Sequence, residues 1–298
     1  MYLVLVNPQA GKKQALKRWQ QVERIFREKR VEYQLLKAQS AYEMREAFWQ
    51  LEVKENIRAA VIIGGDGTVH AAIQELARKH IPIAVLPAGS GNDLARVFQL
   101  TTSPDLFVES LLKHEMRELD VLQVNGHYCL TVAGVGMDAE VSDRVNRSPY
   151  KKWLNVFKIG SLAYLASTLT VIRAFQPVQV NCRVDNDHYI AEKVWLLACG
   201  NTPSYGGGMK ICPLAHPADG VMDIVLLHTV NRLAILTKLL PKVFSGKHLN
   251  KPGVTYLKGK EIYLTAQKPL KVMADGEAIG QTPVRIRVKE RGIQFIMT

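Results

Sequence analysis

The sequence predicts an α/β domain followed by an all-β one, and three observations carry that expectation. In the first third, short apolar runs alternate with segments of helical spacing. Each apolar run ends in a loop rich in Gly or Pro, namely NPQAG, GGDGT and PAGSGND. Beyond about Asp120 the alternation gives way to strand-like runs paired across short turns.

The run YLVLVN is rich in β-formers, and KKQALKRWQQVERIF after it places its apolar residues at helical spacing. AAVIIGG and IPIAVLP read as two further buried strands. Continuous apolar strands separated by helices argue for a parallel sheet covered on both faces. Ligands of such sheets bind at the carboxyl ends of the strands, so the three loops are expected to converge on one crevice. Downstream, VLQVNGHYCLTVAG sets Asn125-Gly126 between two strands, a strong hairpin signal, and QVNCRVDNDHYIAEKVWLLACG reads as a second hairpin. Further strands are expected at Val221–His228, Glu261–Thr265, Pro269–Ala274, Val284–Val288 and Ile293–Met297. The expected domains are residues 1–122, completed by a C-terminal strand at 289–298, and a β-rich domain at 123–288 with an inserted helix or two.

The 298 residues, 47% of them hydrophobic, suffice for well-filled cores. Cys129, Cys182, Cys199 and Cys212 are widely spaced, form no C-x-x-C pair and follow no charged-then-apolar leader, so reduced thiols in the cytosol are expected. Cys212 and His216 have no second pair to complete a metal site and read as structural. The uncharged stretch Ile159–Ile172 falls short of the ~20 residues needed to cross a bilayer. A net charge of +12 calls for an anionic partner. Two segments, Arg147–Gln176 and Asn231–Lys260, are basic without a single Asp or Glu, and carry Trp153, Phe157, Tyr164 and Phe244 among their lysines. Basic plus apolar suits an anionic membrane surface, although solvated lysines around ordinary helices would read the same way.

Gly64-Gly65-Asp66-Gly67-Thr68 combines glycines, which permit close backbone approach, with a helix start that offers N–H groups to an anion. An Asp in such a loop would repel phosphate unless a cation stands between them. LPAGSGNDLAR repeats the design with Ser90 and Asp93. Either Asp alone could be a helix cap. Two such loops at adjacent strand ends are better explained by two carboxylates holding a hydrated Mg²⁺ against phosphate oxygens. GVGMDA (134–139) fits a dinucleotide fingerprint but sits among hairpins, and no G-x-x-x-x-G-K-[ST] loop is present.

In this order NPQAG, GGDGT, LPAGSGNDLAR and ADGE resemble the bacterial diacylglycerol kinase family of soluble lipid kinases, relatives of sphingosine and ceramide kinases. The resemblance spans nearly the whole chain. It implies a phosphofructokinase-like α/β nucleotide-binding domain, a β-sandwich domain and an active site in the cleft between them, with ATP and Mg²⁺ as cofactors. It places Asn7, Pro8, Gln9, Ala10, Gly11, Ser40, Gly65, Asp66, Gly67, Thr68 and Ser90 around the nucleotide. Ser40 has a second reading, a capping box with Glu43. The resemblance points to Asp275-Gly276-Glu277 as the catalytic acid pair, with Glu277 as the base that takes the proton of the lipid hydroxyl; Asp66 and Asp93, the carboxylates expected at Mg²⁺, complete the catalytic set. On physics alone Asp-Gly is a turn. PADGVMDI resembles the family's structural Mg²⁺ site, with Asp219 giving a carboxylate and His216 and Val221 carbonyls, though a plain turn at Asp219-Gly220 competes. After GGDGT relatives continue with Leu-Asn-Glu, where this chain has Val69, His70 and Ala71.

The expected activity is ATP-dependent phosphorylation of a lipid alcohol, diacylglycerol foremost, by a cytoplasmic protein peripheral to the inner face of the membrane. The partners expected are a nucleotide, a lipid at an anionic surface and, in a homodimer, a second copy of the chain; nucleic acid is not among them. Two other readings compete. One is an NAD kinase, which shares GGDGT; its second glycine-threonine loop is not found. The other is an inactive lipid- or nucleotide-binding regulator, motivated by His70 and Ala71.

Overall fold

The computed structural model describes residues 1–50, 57–89, 91–147 and 160–298. Ser90, Lys151, Lys152, Trp153, Phe157 and Lys158 lie outside the described residues, as does the side chain of Tyr164. The chain divides into two compact units, Met1–Leu119 with Arg291–Thr298, and Asp120–Glu290.

In the first unit β1 (Tyr2–Val6), β3 (Ala59–Gly64) and β4 (Ile83–Pro87) are buried along their whole length. Their unbroken apolar character reflects cover on both faces. They pair in parallel, Tyr2 opposite Ala59 and Ala60 opposite Ile83, and β2 (Tyr33–Lys37) adds a half-exposed edge beside β1. Helix α1 (Ala10–Glu28) buries Ala15, Trp19, Val22, Ile25 and Phe26 on one face, the spacing of an amphipathic helix. Trp19 and Phe26 join Phe107, Val108 and Leu111 of α5 (Pro104–Lys113) over Val4, Val6, Val61 and Ile63. Helices α2 (Ala41–Gln50), α3 (Asp66–Leu76) and the short α4 (Asp93–Phe98) follow β2, β3 and β4 in turn.

The second unit is a β-sandwich. The Asn125-Gly126 turn joins β5 (Met116–Val124) to β6 (His127–Cys129), with φ of 47° and 87° at the two central residues. The second expected hairpin is β8 (Val178–Val184) with β9 (Asp187–Gly200). The far half of β9 pairs with both β7 (Val132–Gly136) and β10 (Met222–His228), and β10 continues to β11 (Val254–Gly259). β13 (Lys271–Ala274) bonds β7 on one side and β14 (Glu277–Gln281) on the other, while β12 (Glu261–Ala266) joins β8. Alternation along β8, inward at Val178, Val180, Cys182 and Val184, builds the core.

Three details differ from the sequence expectation. Gly11, Lys12 and Lys13 have φ of 57°, 57° and 69°, so the first loop extends past Lys13 before α1 becomes regular. GVGMDA lies not within hairpins but at a strand-to-helix junction, β7 running directly into α6 (Met137–Arg147). The two C-terminal strands are one, β15 (Val284–Ile296), pairing β12 at Val284–Arg287 and β4 at Phe295. All four cysteines are buried and free. No helix among the described residues is long and apolar enough to cross a membrane.

Candidate active site

Three loops of the first unit meet where β1, β3 and β4 end. A Cβ on Gly89 would lie 2.6 Å from the Cα of Gly65, and one on Gly11 would lie 1.9 Å from the Ala88 carbonyl oxygen. Glycine alone lets these backbones approach so closely. The Ala88 N–H donates to the Gly64 carbonyl at 2.7 Å, fixing the second loop to the third. Asn7 fixes the first to the second: its amide donates to the Thr68 hydroxyl at 3.4 Å and its backbone N–H to the Ile63 carbonyl at 3.2 Å. The Asn7 carboxamide oxygen accepts from Gln9 N–H at 3.1 Å, an Asx turn that carries the chain through Pro8 to Ala10.

Asp66 is the first residue of α3, whose N-cap is Gly65 with no side-chain cap. Its carboxylate reaches across to the next loop. Oδ2 accepts from the Asp93 N–H at 3.1 Å and Oδ1 from the Leu94 N–H at 3.3 Å, so Asp66 sits at the N-terminus of α4. The helix dipole favours a negative charge there. Asp93 itself pairs with Arg96, whose other nitrogen donates to the Gly91 carbonyl at 3.1 Å. Asn92, at φ 52°, closes the same loop by accepting from and donating to Gly89.

These contacts are compatible with a cation. A carboxylate offers about four lone-pair sites, so bonds from N–H groups and a metal contact can share it. They also show that capping, which the sequence left open, is real but crossed: Asp66 serves the helix of the neighbouring loop.

Ser40 makes the capping half of the expected box, its hydroxyl accepting from Glu43 N–H at 3.1 Å, while the Glu43 carboxylate accepts one residue upstream, from Gln39 N–H at 2.8 Å. His70 is buried on α3, and its carbonyl accepts from the Gln74 amide at 3.1 Å.

In the second unit, Glu277 opens β14 directly after the turn Asp275-Gly276, with φ of 50° and 84°. Asp275 holds that turn in place. Its carboxylate accepts from the N–H and the hydroxyl of Thr131, both at 2.7 Å, and from the Leu130 N–H at 3.1 Å. Buried Asn201 supports the same loop from behind, its amide donating to the carbonyls of Asp120 and Leu130, both at 2.8 Å. These bonds hold the turn from which Glu277 extends. Neither Asn201 nor Asp120 carries a motif that sequence reading could have found.

Asp138 is another buried acid that the sequence reading passed over. Its oxygens accept from Ala139 N–H at 2.9 Å and from the Tyr205 hydroxyl at 3.3 Å, and a Cβ on Gly134 would come within 2.2 Å of Oδ2. The glycines of GVGMDA therefore make room for a carboxyl group and turn the strand into a helix. Burial pushes the Asp138 carboxyl up to about 7 from an ordinary 3.8. Between those values the folded state holds a proton that the unfolded state has lost, so this group's contribution to stability is full below the lower value and fades as pH rises through the upper one. The melting temperature should fall between about pH 4 and about pH 7, and Asp138→Asn should flatten that fall. An unchanged profile in the variant would assign the dependence to another group.

At the 216–221 turn the Asp219 carboxylate accepts from Val221 N–H at 3.3 Å and pairs with Lys258 at 3.3 Å. Asp120 closes the turn from behind, accepting from Gly220 N–H at 2.8 Å and donating its own N–H to the Pro217 carbonyl at 2.7 Å. Lys258 gives Asp219 a positive partner. Among the described residues no group of three or more His, Cys, Asp or Glu side chains is arranged to hold a metal.

Residues 1–124 match the family model of the diacylglycerol kinase catalytic domain, and residues 131–297 match that of the YegS C-terminal NAD kinase beta sandwich-like domain. A diacylglycerol kinase of Mycobacterium tuberculosis is 31% identical over 250 residues, covering 82% of this chain and 78% of its own. The chain belongs to the diacylglycerol kinase family. A diacylglycerol kinase family protein of Bacillus subtilis, itself named diacylglycerol kinase, is 26% identical over 99% of this chain and 95% of its own. Among solved structures, a diacylglycerol kinase from Bacillus anthracis superposes with a TM-score of 0.75 at 22% identity, covering 100% of this chain and 96% of its own. An NAD kinase from Archaeoglobus fulgidus in complex with ATP gives 0.53 at 17% identity, covering 99% and 93%. These two likenesses are of fold. In this diacylglycerol kinase family member, the loops around Asp66 belong to the catalytic-domain match and Glu277 to the sandwich match.

Proposed function

We propose that this protein is an ATP-dependent lipid kinase that phosphorylates the hydroxyl of a lipid alcohol, with diacylglycerol, giving phosphatidic acid, as the first candidate. The observation that carries the reading is the convergence of three glycine loops on Asp66, beside the N-termini of α3 and α4. The N–H groups that open α3 among the glycines suit a polyphosphate, while those that open α4 hold the Asp66 carboxylate in place. Asn7, Gln9, Gly11, Gly65, Gly67 and Thr68 are assigned to the nucleotide, with Ser90 as a further hydroxyl.

Asp66 and Asp93 would hold Mg²⁺, which supplies charge neutralisation at the phosphate oxygens. Glu277 accepts the proton of the lipid hydroxyl as its oxygen bonds to the γ-phosphorus; the bond from that phosphorus to the β-bridging oxygen breaks, and ADP leaves. Phosphoryl transfer asks mainly for positioning and electrostatics, so a braced turn and two anchored carboxylates are the parts it needs.

The test is transfer of labelled phosphate from ATP to a panel of lipid alcohols in mixed micelles, with NAD⁺ as a parallel acceptor. Incorporation into one or more lipids and none into NAD⁺ is expected. Labelled NAD⁺ would move the assignment to an NAD kinase, and no ATP turnover with any acceptor would leave a binding protein.

A further inference from the structure

The segment from Arg232 to Lys251 is a helical run in three pieces, Arg232–Ala234, a π-helical turn Ile235–Leu239, and Leu240–Val243, closed by a tight turn. One face is anchored: Ile235, Leu239 and Val243 are buried in the core of the second unit. The closing turn is equally fixed. Lys247 N–H donates to the Lys242 carbonyl at 3.1 Å, Lys210 N–H to the Val243 carbonyl at 3.0 Å, and the buried His248 ring meets the Ile211 carbonyl at 3.0 Å. Gly246, at φ 72°, lies against Pro213, where a Cβ would come within 2.9 Å of the proline ring.

On this firm base the outer face is unusual in two respects. It gathers Lys238, Lys242, Lys247 and Lys251, none of which has a carboxylate partner among the described residues, and the sequence from Asn231 to Lys260 contains no acid to supply one. The same segment leaves large apolar groups in solvent: Phe244 is 49% exposed and Leu233 69%. The lysines are close enough to disfavour one another's charge. The Lys242 ammonium is drawn below its ordinary range, first by Lys251 and then by Lys238 and Lys247.

We infer that this ridge is a docking surface for an anionic phospholipid bilayer, with the four lysines meeting headgroup phosphates and Phe244 entering the interface. Charge complementarity selects the occupant, since a cluster of unpaired ammonium groups gains most from a dense sheet of phosphates. The exposed phenyl ring selects a bilayer over a soluble anion, because a ring gains only where it leaves water. Lysine stems bury along the interface while their heads stay at the phosphate level. The inference concerns binding and is tested without ATP or turnover, so it stands or falls separately from the reaction assigned above.

The experiment is cosedimentation of the full chain with vesicles of phosphatidylcholine alone or with added phosphatidylglycerol, at increasing salt. Wild type is expected to bind the anionic vesicles, to weaken with salt and to ignore neutral ones. Each lysine near an anionic surface is worth roughly a fivefold change in affinity, so combining Lys238→Gln, Lys242→Gln, Lys247→Gln and Lys251→Gln should cost roughly 100-fold or more. Phe244→Ser should cost roughly tenfold and leave the salt dependence intact. A charge-matched control, Lys17→Gln, Lys29→Gln, Lys37→Gln and Lys79→Gln, removes four exposed lysines of the first unit and should bind nearly as wild type. Circular dichroism and melting of each variant confirm that loss of binding is not loss of fold. Equal losses in the two quadruple variants would reduce the effect to net charge and overturn the proposal. So would binding to neutral vesicles, no effect of Phe244→Ser, or retention of a nucleic acid in place of vesicles.

Discussion

Glu277→Gln should lower kcat by roughly 10²- to 10⁴-fold, the range expected when a positioned general base is lost. Glutamine keeps the shape of the side chain and removes its ability to accept a proton. The turn that presents it is held by Asp275 and Thr131, which the substitution leaves untouched, so melting should barely change. ATP affinity should also hold, because the nucleotide is assigned to loops of the first unit. Steady-state kinetics with lipid and ATP varied separately would separate these effects. A variant near wild-type rate, or one whose defect lies in ATP binding, would refute the assignment, and Asp66 would become the candidate base.

Asp66→Asn should lower kcat by roughly 10³-fold, the upper end of what a single electrostatic group contributes. The structure sharpens what else should change. Asparagine retains one oxygen for the N–H groups of Asp93 and Leu94 but loses the charge that favours the α4 terminus, a loss of about 0.3–1 kcal/mol in stability. Asp93→Asn frees Arg96 from a half-exposed pair and should cost little stability, since such pairs are worth about 0–1 kcal/mol. A kinetic collapse with a small thermal shift in both variants would place both carboxylates at the phosphate. Normal turnover in Asp66→Asn would leave this residue as a cap for α4 and nothing more.

The features that local chemistry dictates are legible in the sequence. β1, β3 and β4 declare themselves because a strand covered on both faces must be apolar throughout, and Asn125-Gly126 declares its hairpin because few residue pairs tolerate positive φ twice. β2 was missed because its residues Tyr33-Gln34-Leu35-Leu36-Lys37 sit half exposed at an edge, where neither alternation nor continuous apolarity is imposed. β15 was split in two because Lys289-Glu290-Arg291-Gly292 reads as a turn, and Arg291 does adopt φ 49°, yet the chain continues as strand.

At the site, glycine spacing exposed the three loops, since close approach is written in residue type. The partners of the acids were not legible. That Asp66 answers to α4, that Asp275 braces Thr131 and that Asp138 hides behind Gly134 are facts of long-range contact between positions far apart in sequence.

The strand β15 also bears on the order of assembly. Phe295 is fully buried in the first unit, stacked on Phe98 at 5.4 Å, and Thr298 supplies the carbonyl that receives the Thr101 N–H at 2.9 Å. The unit that begins the chain is therefore completed by residues 291–298, made after the whole of the second unit. On the ribosome the sandwich has all its strands first, while the nucleotide loops wait on a sheet that still lacks an edge. A nascent chain cannot finish the fold assigned to ATP until the fold that carries Glu277 has been synthesised.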